Sequence, residues 1–137
     1  MNNLDLAQYE APPAHLRDRV ILITGAGRGI GRAVAKAVAA QGATAVILGR
    51  KVPALEALYD EIVAAGDPEP AIYPMDLLGA GPGDYEQMAD TIAEQLGRLD
   101  GLVLNAGMLG TLGALAHSDP DEFTRVMQVN VTACYLA

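Results

Sequence analysis

Residues 24–31 have the composition and the position of an anion-binding turn. They read Thr-Gly-Ala-Gly-Arg-Gly-Ile-Gly and lie between a short apolar run and an alanine-rich segment with a helical pattern. Backbone N–H groups at the start of a helix attract anions, and glycines let a pyrophosphate approach the main chain. A purely structural turn is the alternative, but the register of strand, turn and helix favours a phosphate site. Its candidate residues are Gly25, Ala26, Gly27, Arg28, Gly29, Ile30 and Gly31.

The elements that would hold this turn alternate between short apolar strands and helical segments. Strands are predicted at residues 20–23, 45–48, 71–73 and 102–104, and helices at 30–40, between Leu55 and Gly66, from Asp84 and from Asp119. Such alternation is typical of a parallel sheet with right-handed crossovers. We therefore predict an α/β fold of the Rossmann type, a doubly wound parallel sheet in three α/β/α layers. The first strand, apolar on both faces, is expected to be central.

The third and fourth helices begin with capping signals. Asp84, with Gln87 three residues later, resembles a capping box. Asp119, Pro120 and Glu122 supply an N-cap, a proline at the first helical position and a capping-box acid. Both helices should therefore begin at these residues.

One face of the last helix is predicted to be apolar apart from a single amide. The face comprises Phe123, Met127, Asn130, Val131 and Cys134. A buried amide needs hydrogen-bond partners. Asn130 is thus either a satisfied core asparagine or a functional residue.

The chain divides into an arm and one domain. Residues 1–18 are polar, contain Pro12 and Pro13, and are predicted to form a lead-in arm on the surface. Residues 19–137 are expected to form a dinucleotide-binding domain. Residues 131–136 are mostly apolar and lack a helix-ending signal. We therefore expect the chain to be truncated within the helix after the fourth strand, as the N-terminal part of a longer domain.

Composition disfavours several classes of protein. Nine basic against 17 acidic residues among 137 give a net charge of −8, the wrong sign for binding nucleic acid. One cysteine and two distant histidines predict no metal site and fit a reducing compartment. No secretory signal or membrane span is apparent, so we expect a cytoplasmic protein without a membrane partner.

The turn has the spacing T-G-x-x-x-G-x-G, which resembles that of the short-chain dehydrogenase/reductase family. Three further motifs extend the resemblance over residues 19–137. Asp76 and Leu77 match the pair that holds the adenine ring, and Asn105, Ala106 and Gly107 match a motif flanking the nicotinamide half. The third motif is Gln128-Val129-Asn130-Val131, and by the same resemblance Asn130 is a catalytic residue that positions a water of the proton relay.

The end of the second strand favours NADP(H) over NAD. Dinucleotide sites for NAD usually end this strand with an acid, whereas NADP sites place arginine near the 2′-phosphate. Here the strand is followed by Arg50 and Lys51, with no acid before Glu56. Arg28 resembles the second basic residue of NADP-dependent relatives, although both arginines could be ordinary surface charges. Lys51 is interpreted as a surface charge.

The resemblance implies an oxidoreductase that transfers hydride between the cofactor and a small carbonyl or alcohol substrate, as a homodimer or homotetramer. The family's catalytic Ser and Tyr-x-x-x-Lys are not found within these residues, so the segment alone is expected to be inactive. A non-catalytic dinucleotide-binding or regulatory module is the alternative. An S-adenosylmethionine methyltransferase is disfavoured by Arg50, because such sites usually have an acid there.

Overall fold

The computed structural model describes residues 12–137, and expectations for residues 1–11 lie outside that range. The strands are β1 Val20–Thr24, β2 Thr44–Gly49, β3 Ala71–Pro74 and β4 Gly101–Val103. The helices are α1 Gly29–Ala40, α2 Val52–Ala64, α3 Pro82–Leu96, α4 Pro120–Met127 and α5 Ala133–Leu136. A 3₁₀ turn spans Leu115–His117 and a π-helical segment spans Gln128–Thr132. Within the described range, no helix has the length and hydropathy needed to cross a membrane.

The strands form one parallel sheet in the order β3-β2-β1-β4. β1 pairs with β2 from Val20 opposite Thr44 onward, and its other edge pairs with β4 from Ile21 opposite Gly101. β1 is therefore central, as predicted. The chain runs outward from β1 to β3 and then crosses to the far side of β1. This places a topological switch point between the carboxyl ends of β1 and β4.

Hydrophobic cores cover both faces of the sheet. On one face, Leu22 and Leu48 pack with residues of α3 such as Met88. On the other face, Ile23 and Ile47 pack with residues of α1 and α2. The strands are apolar on both sides because helices cover both. The predicted three-layer α/β/α arrangement is confirmed.

α3 begins earlier than predicted because its capping arrangement differs. Pro82 is the first helical residue, and Asp84 lies in the first turn. The Asp84 carboxylate accepts a hydrogen bond from the Gly81 N–H at 2.8 Å. The predicted pairing of Asp84 with Gln87 is therefore wrong, since Asp84 is itself the acid that reaches back to the N-cap.

The last predicted helix is not one continuous α-helix, because a π-helical segment separates α4 from α5. The wider π turn shifts the following residues around the helix axis. The predicted burial of the apolar face is wrong, for Phe123 and Met127 before the π-helical segment as well as for Val131 within it. Phe123 and Val131 are 62% and 50% exposed, whereas Val129 and Ala133 are buried. Asn130 is also exposed.

The described part of the lead-in arm, residues 12–18, packs on the end of α1. The Leu16 N–H donates to the Gln41 carbonyl at 3.1 Å. Gly42 has φ +89°, and a Cβ there would lie 3.1 Å from the Arg17 Cα. This part of the arm is therefore bound to the α1–β2 turn, with most of its residues exposed at the surface.

Asp100 fixes the amino-terminal ends of β1 and β4. Its carboxylate accepts hydrogen bonds from the Arg98 guanidinium at 2.6 and 2.8 Å. It also accepts bonds from Arg19 at 2.9 Å and from the Val20 N–H at 2.9 Å. The Arg98 guanidinium, the Val20 N–H and Arg19 together hold the pKa of this carboxyl well below its usual range.

We expect Asp100→Asn to lower the melting temperature at neutral pH, by an amount that shrinks on acidification. Because the pKa of Asp100 is depressed in the folded state, its stabilisation is complete above the unfolded-state pKa of about 3.9. The stabilisation is then lost as the pH falls toward the folded-state pKa. Thermal unfolding from about pH 7 to about pH 2 measures the difference, with exposed Asp90→Asn as the control. A difference that stays constant across this range would contradict the prediction.

Candidate functional site

Two polar side chains join the carboxyl ends of β1 and β4. The buried Thr24 hydroxyl accepts a hydrogen bond from the Ala106 N–H at 3.0 Å. The Asn105 side-chain amide donates to the Thr24 carbonyl at 3.0 Å and to the Gly25 carbonyl at 3.4 Å. We call these bonds of Thr24 and Asn105 the β1–β4 clamp. The clamp ties the glycine turn to the segment after β4, at the switch point of the sheet.

The clamp requires glycine at two positions of the turn. A Cβ on Gly31 would lie 2.5 Å from the Asn105 Nδ2 and 2.5 Å from the Gly25 carbonyl oxygen. A Cβ on Gly25 would lie 2.9 Å from the Ala106 Cα, and Gly25 also has φ +67°. Packing against the Asn105 segment therefore accounts for two of the glycines in the motif.

The start of α1 is open to a ligand. Gly29 has φ +55°, and a Cβ there would meet no atom of the described chain within 4 Å. Within residues 12–137, the N-cap residue Arg28 makes no side-chain capping bond, and the first turn contains no acidic residue. The first N–H groups of α1 thus keep their capacity to bind an anion, with the helix dipole behind them.

A cleft of about 690 Å³ opens beside this turn, a volume typical of cofactor sites. It lies where the carboxyl ends of the parallel strands meet. Most of the candidate residues line it. They are Gly25, Gly27, Arg28, Gly29, Ile30, Arg50, Asp76, Leu77, Asn105, Ala106 and Gly107.

Two candidate residues of the turn lie behind the cleft wall. Ala26 is fully buried, and its N–H donates to the Leu48 carbonyl at 3.0 Å. Gly31 is buried beside Asn105. These residues shape the turn and attach it to β2 and to the β1–β4 clamp.

Basic side chains line the part of the cleft near β2. Arg28, Arg50 and Lys51 all line it and are all exposed. None of the ion pairs within residues 12–137 involves them. Lys51, interpreted from the sequence as a surface charge, is exposed and also lines the cleft. It follows Arg50 directly and is the N-cap residue of α2. The three side chains place local positive charge in a chain whose net charge is −8.

Met75, Met108 and Val129, which are not among the candidate site residues, also line the cleft. Met75 follows β3, and its N–H donates to the Gly49 carbonyl at 3.0 Å. Positions just past the carboxyl ends of parallel strands are expected at such a cleft, and this rule could have found Met75. The position of Val129 depends on the π-helical segment, for which the sequence pattern gave no signal.

Asn130 is bound to the main chain of Met108. Its Oδ1 accepts a hydrogen bond from the Met108 N–H at 2.8 Å, and its Nδ2 donates to the Met108 carbonyl at 2.8 Å. Both polar groups of the amide are therefore engaged although the residue is exposed. Asn130 is absent from the cleft wall formed by the described residues, whereas Met108 lines it.

The family model described as short chain dehydrogenase matches residues 19–137. The chain therefore belongs to the short-chain dehydrogenase family, and the predicted membership is confirmed. The four-stranded parallel sheet and the glycine turn at its switch point agree with this assignment.

Individual relatives extend beyond this chain. The Escherichia coli protein named uncharacterized oxidoreductase YciK is 38% identical over 93% of this chain and 51% of its own length. The structure of a short chain dehydrogenase from Salmonella enterica serovar Typhi is 39% identical, with a TM-score of 0.90, over 93% of this chain and 53% of that one. A protein from Escherichia coli CFT073, solved in complex with NADPH, is 40% identical with a TM-score of 0.86 over 91% and 52%. The chain spans about half the length of these relatives.

Gly31→Ala is expected to lower the free energy of unfolding by about 1–3 kcal/mol or more. The added methyl group would lie 2.5 Å from both Asn105 Nδ2 and the Gly25 carbonyl oxygen. Gly79→Ala is the matched control, because a Cβ at Gly79 meets no atom of the described chain within 4 Å. Urea denaturation of both variants and the parent protein measures the effect. Equal stability of the two variants would show that the clamp tolerates a side chain at residue 31.

Proposed function

We propose that this chain is the NADP(H)-binding part of an oxidoreductase that transfers hydride between a nicotinamide cofactor and a carbonyl or alcohol substrate. The observation that carries the proposal is the cleft at the switch point, where an uncapped helix start and two arginines line one wall. Family membership supports the class of reaction. One relative solved with NADPH, and a protein from Shigella flexneri solved with NADP, support the choice of cofactor.

The residues present fit the phosphates of such a cofactor. The N–H groups at the start of α1 and the open space at Gly29 would hold the pyrophosphate. Arg28 and Arg50 would bind the 2′-phosphate, for which paired guanidinium groups are well suited. The acid that would accept a bond from an unphosphorylated ribose is absent between Arg50 and Glu56.

The adenine end of the site would be formed by Asp76 and Leu77. The Asp76 carboxylate accepts a hydrogen bond from the Leu78 N–H at 3.2 Å, which restricts its orientation. Leu77 is buried and contributes both to the cleft wall and to the core beneath it. This pair would hold the adenine ring between β2 and β3.

The nicotinamide end would be formed by Asn105, Ala106 and Gly107. Asn105 and Ala106 are fixed by the β1–β4 clamp. When bound, the cofactor supplies or accepts the hydride. Asn130 is the catalytic residue that we assign to this chain, as a member of the proton relay. Its amide holds the Met108 main chain at the cleft wall.

Arg50→Ala is expected to weaken NADPH binding roughly ten- to hundredfold, because one charge-assisted contact to the 2′-phosphate is lost. NADH lacks that phosphate, so its affinity should not change. The matched control is Arg17→Ala, an exposed arginine that does not line the cleft. Calorimetric titration with both nucleotides measures the affinities. Equal losses for NADPH and NADH would contradict the role assigned to Arg50.

Residues 1–137 alone are expected to show no NADPH oxidation with aldehydes or ketones. Hydride transfer needs a positioned acid or base. No tyrosine of this sequence is followed by lysine at the fourth position. Spectrophotometric assay of the purified chain, beside the longer protein that contains it, tests the prediction. Turnover by the isolated chain would overturn it, and inactivity of both would favour a non-catalytic module.

A cytoplasmic location stays a prediction from the sequence pattern, and assembly as a homodimer or homotetramer stays a prediction from the family resemblance. The substrate is proposed only as a small carbonyl or alcohol compound.

A further inference from the structure

The loop that follows β4 is held against α4 and the π-helical segment. The first tie is the pair of bonds between Met108 and Asn130, each 2.8 Å long. The second is Gly110, which has φ +69° and lies so close to α4 that a Cβ would approach the Val126 Cγ2 to 3.0 Å. Together these contacts fix the path of the main chain just beyond the nicotinamide end of the cleft.

A third tie joins the loop to the first turn of α4. The Thr111 hydroxyl donates to the Glu122 carboxylate at 2.9 Å. We call this bond the Thr111–Glu122 latch. The same carboxylate oxygen would lie 3.8 Å from a Cβ on Gly110, so Glu122 stands beside two successive residues of the loop.

Glu122 does not form the capping-box hydrogen bond that its position in the first turn of α4 predicts. The cap is formed by Asp119, whose carboxylate accepts a hydrogen bond from the Asp121 N–H at 2.9 Å. The sequence predicts that Glu122 reaches back to the N-cap main chain, but its carboxylate is bound to Thr111 instead. The Glu122 carboxylate thus holds the loop at Thr111, next to the cleft, instead of bonding to the N-cap main chain of its own helix.

Beyond Thr111 the loop makes only local contacts within the described chain. Residues 112–118 are all exposed. Their hydrogen bonds stay inside the segment, such as the His117 N–H to the Ala114 carbonyl at 2.9 Å. Leu112 and Leu115 are 78% and 87% exposed. The latch is therefore the last tie of the loop before α4 begins.

We propose that Glu122 is a positioning residue of the oxidoreductase, acting through Thr111 on the Met108 main chain and so on Asn130. Glu122 does not line the cleft, and its carboxylate accepts a hydrogen bond from Thr111, which is not among the residues assigned to the cofactor. Its carboxylate holds residues 108–111 on α4, which keeps the Met108 peptide in register with the Asn130 amide. This inference rests on the proposed function.

The catalytic test uses the longer protein with NADPH and the probe 4-nitrobenzaldehyde. Glu122→Ala and Thr111→Val should each lower kcat roughly fivefold, the effect of one lost hydrogen bond, and leave the KM for NADPH unchanged. The double variant should be no worse than either single variant, because both remove the same bond. Glu122→Gln keeps an acceptor and should restore kcat, and Asp121→Ala is the control acid on the same turn. Additive losses, or a Gln variant as impaired as the Ala variant, would overturn the proposal.

Hydrogen exchange of the Met108 backbone amide, which donates to Asn130 Oδ1, tests the latch without turnover. Glu122→Ala should speed exchange roughly fivefold, whereas Glu122→Gln and Asp121→Ala should exchange like the parent protein. Unchanged exchange in Glu122→Ala would overturn the proposal. If Glu122→Ala exchanges faster than the parent protein but the parent protein shows no NADPH-dependent turnover, the latch is supported and the proposed function is contradicted.

Discussion

The Asn105 side-chain amide bonds to the carbonyls of Thr24 and Gly25, just where β1 ends and the glycine turn begins. Because this amide fills the space beside the turn, Gly31 cannot carry a side chain. α1 therefore starts close against the end of β1, and its first N–H groups open into the cleft. The spacing of the glycine motif and the position of the proposed anion site thus follow from one set of hydrogen bonds between the ends of β1 and β4.

The pair of strands that carries the site is fixed at both ends. β4 pairs with β1 over only a few residues, from Ile21 opposite Gly101. At the amino end, the Asp100 carboxylate accepts the Val20 N–H, and at the carboxyl end the clamp binds β1 to the segment after β4. Side-chain hydrogen bonds thereby supplement this short strand ladder at both of its ends.

The strands could be predicted to within one residue at each end, because short apolar runs bounded by polar residues and glycines mark them clearly. The glycine turn was equally readable from its motif between a strand and a helix. The reason why Gly25 and Gly31 lack side chains was not readable, because it lies in the packing of the distant Asn105 segment. The π-helical segment was not readable either, because a period of 3.6 residues assigns Val131 to the buried face, whereas Val131 is half exposed and Val129 is buried. Glu122 shows a second limit: its position predicts a bond to the helix cap, but the loop that precedes α4 brings the Thr111 hydroxyl to its carboxylate instead.

The central claim is that the cleft recognises the 2′-phosphate of NADP(H) through Arg28 and Arg50. Calorimetric titration with 2′,5′-ADP and with ADP tests it most directly, because 2′,5′-ADP carries the phosphate that distinguishes NADP(H) from NAD(H). Two guanidinium contacts predict at least about tenfold tighter binding of 2′,5′-ADP. Equal affinities, or tighter binding of ADP, would contradict the account and point to an NAD site.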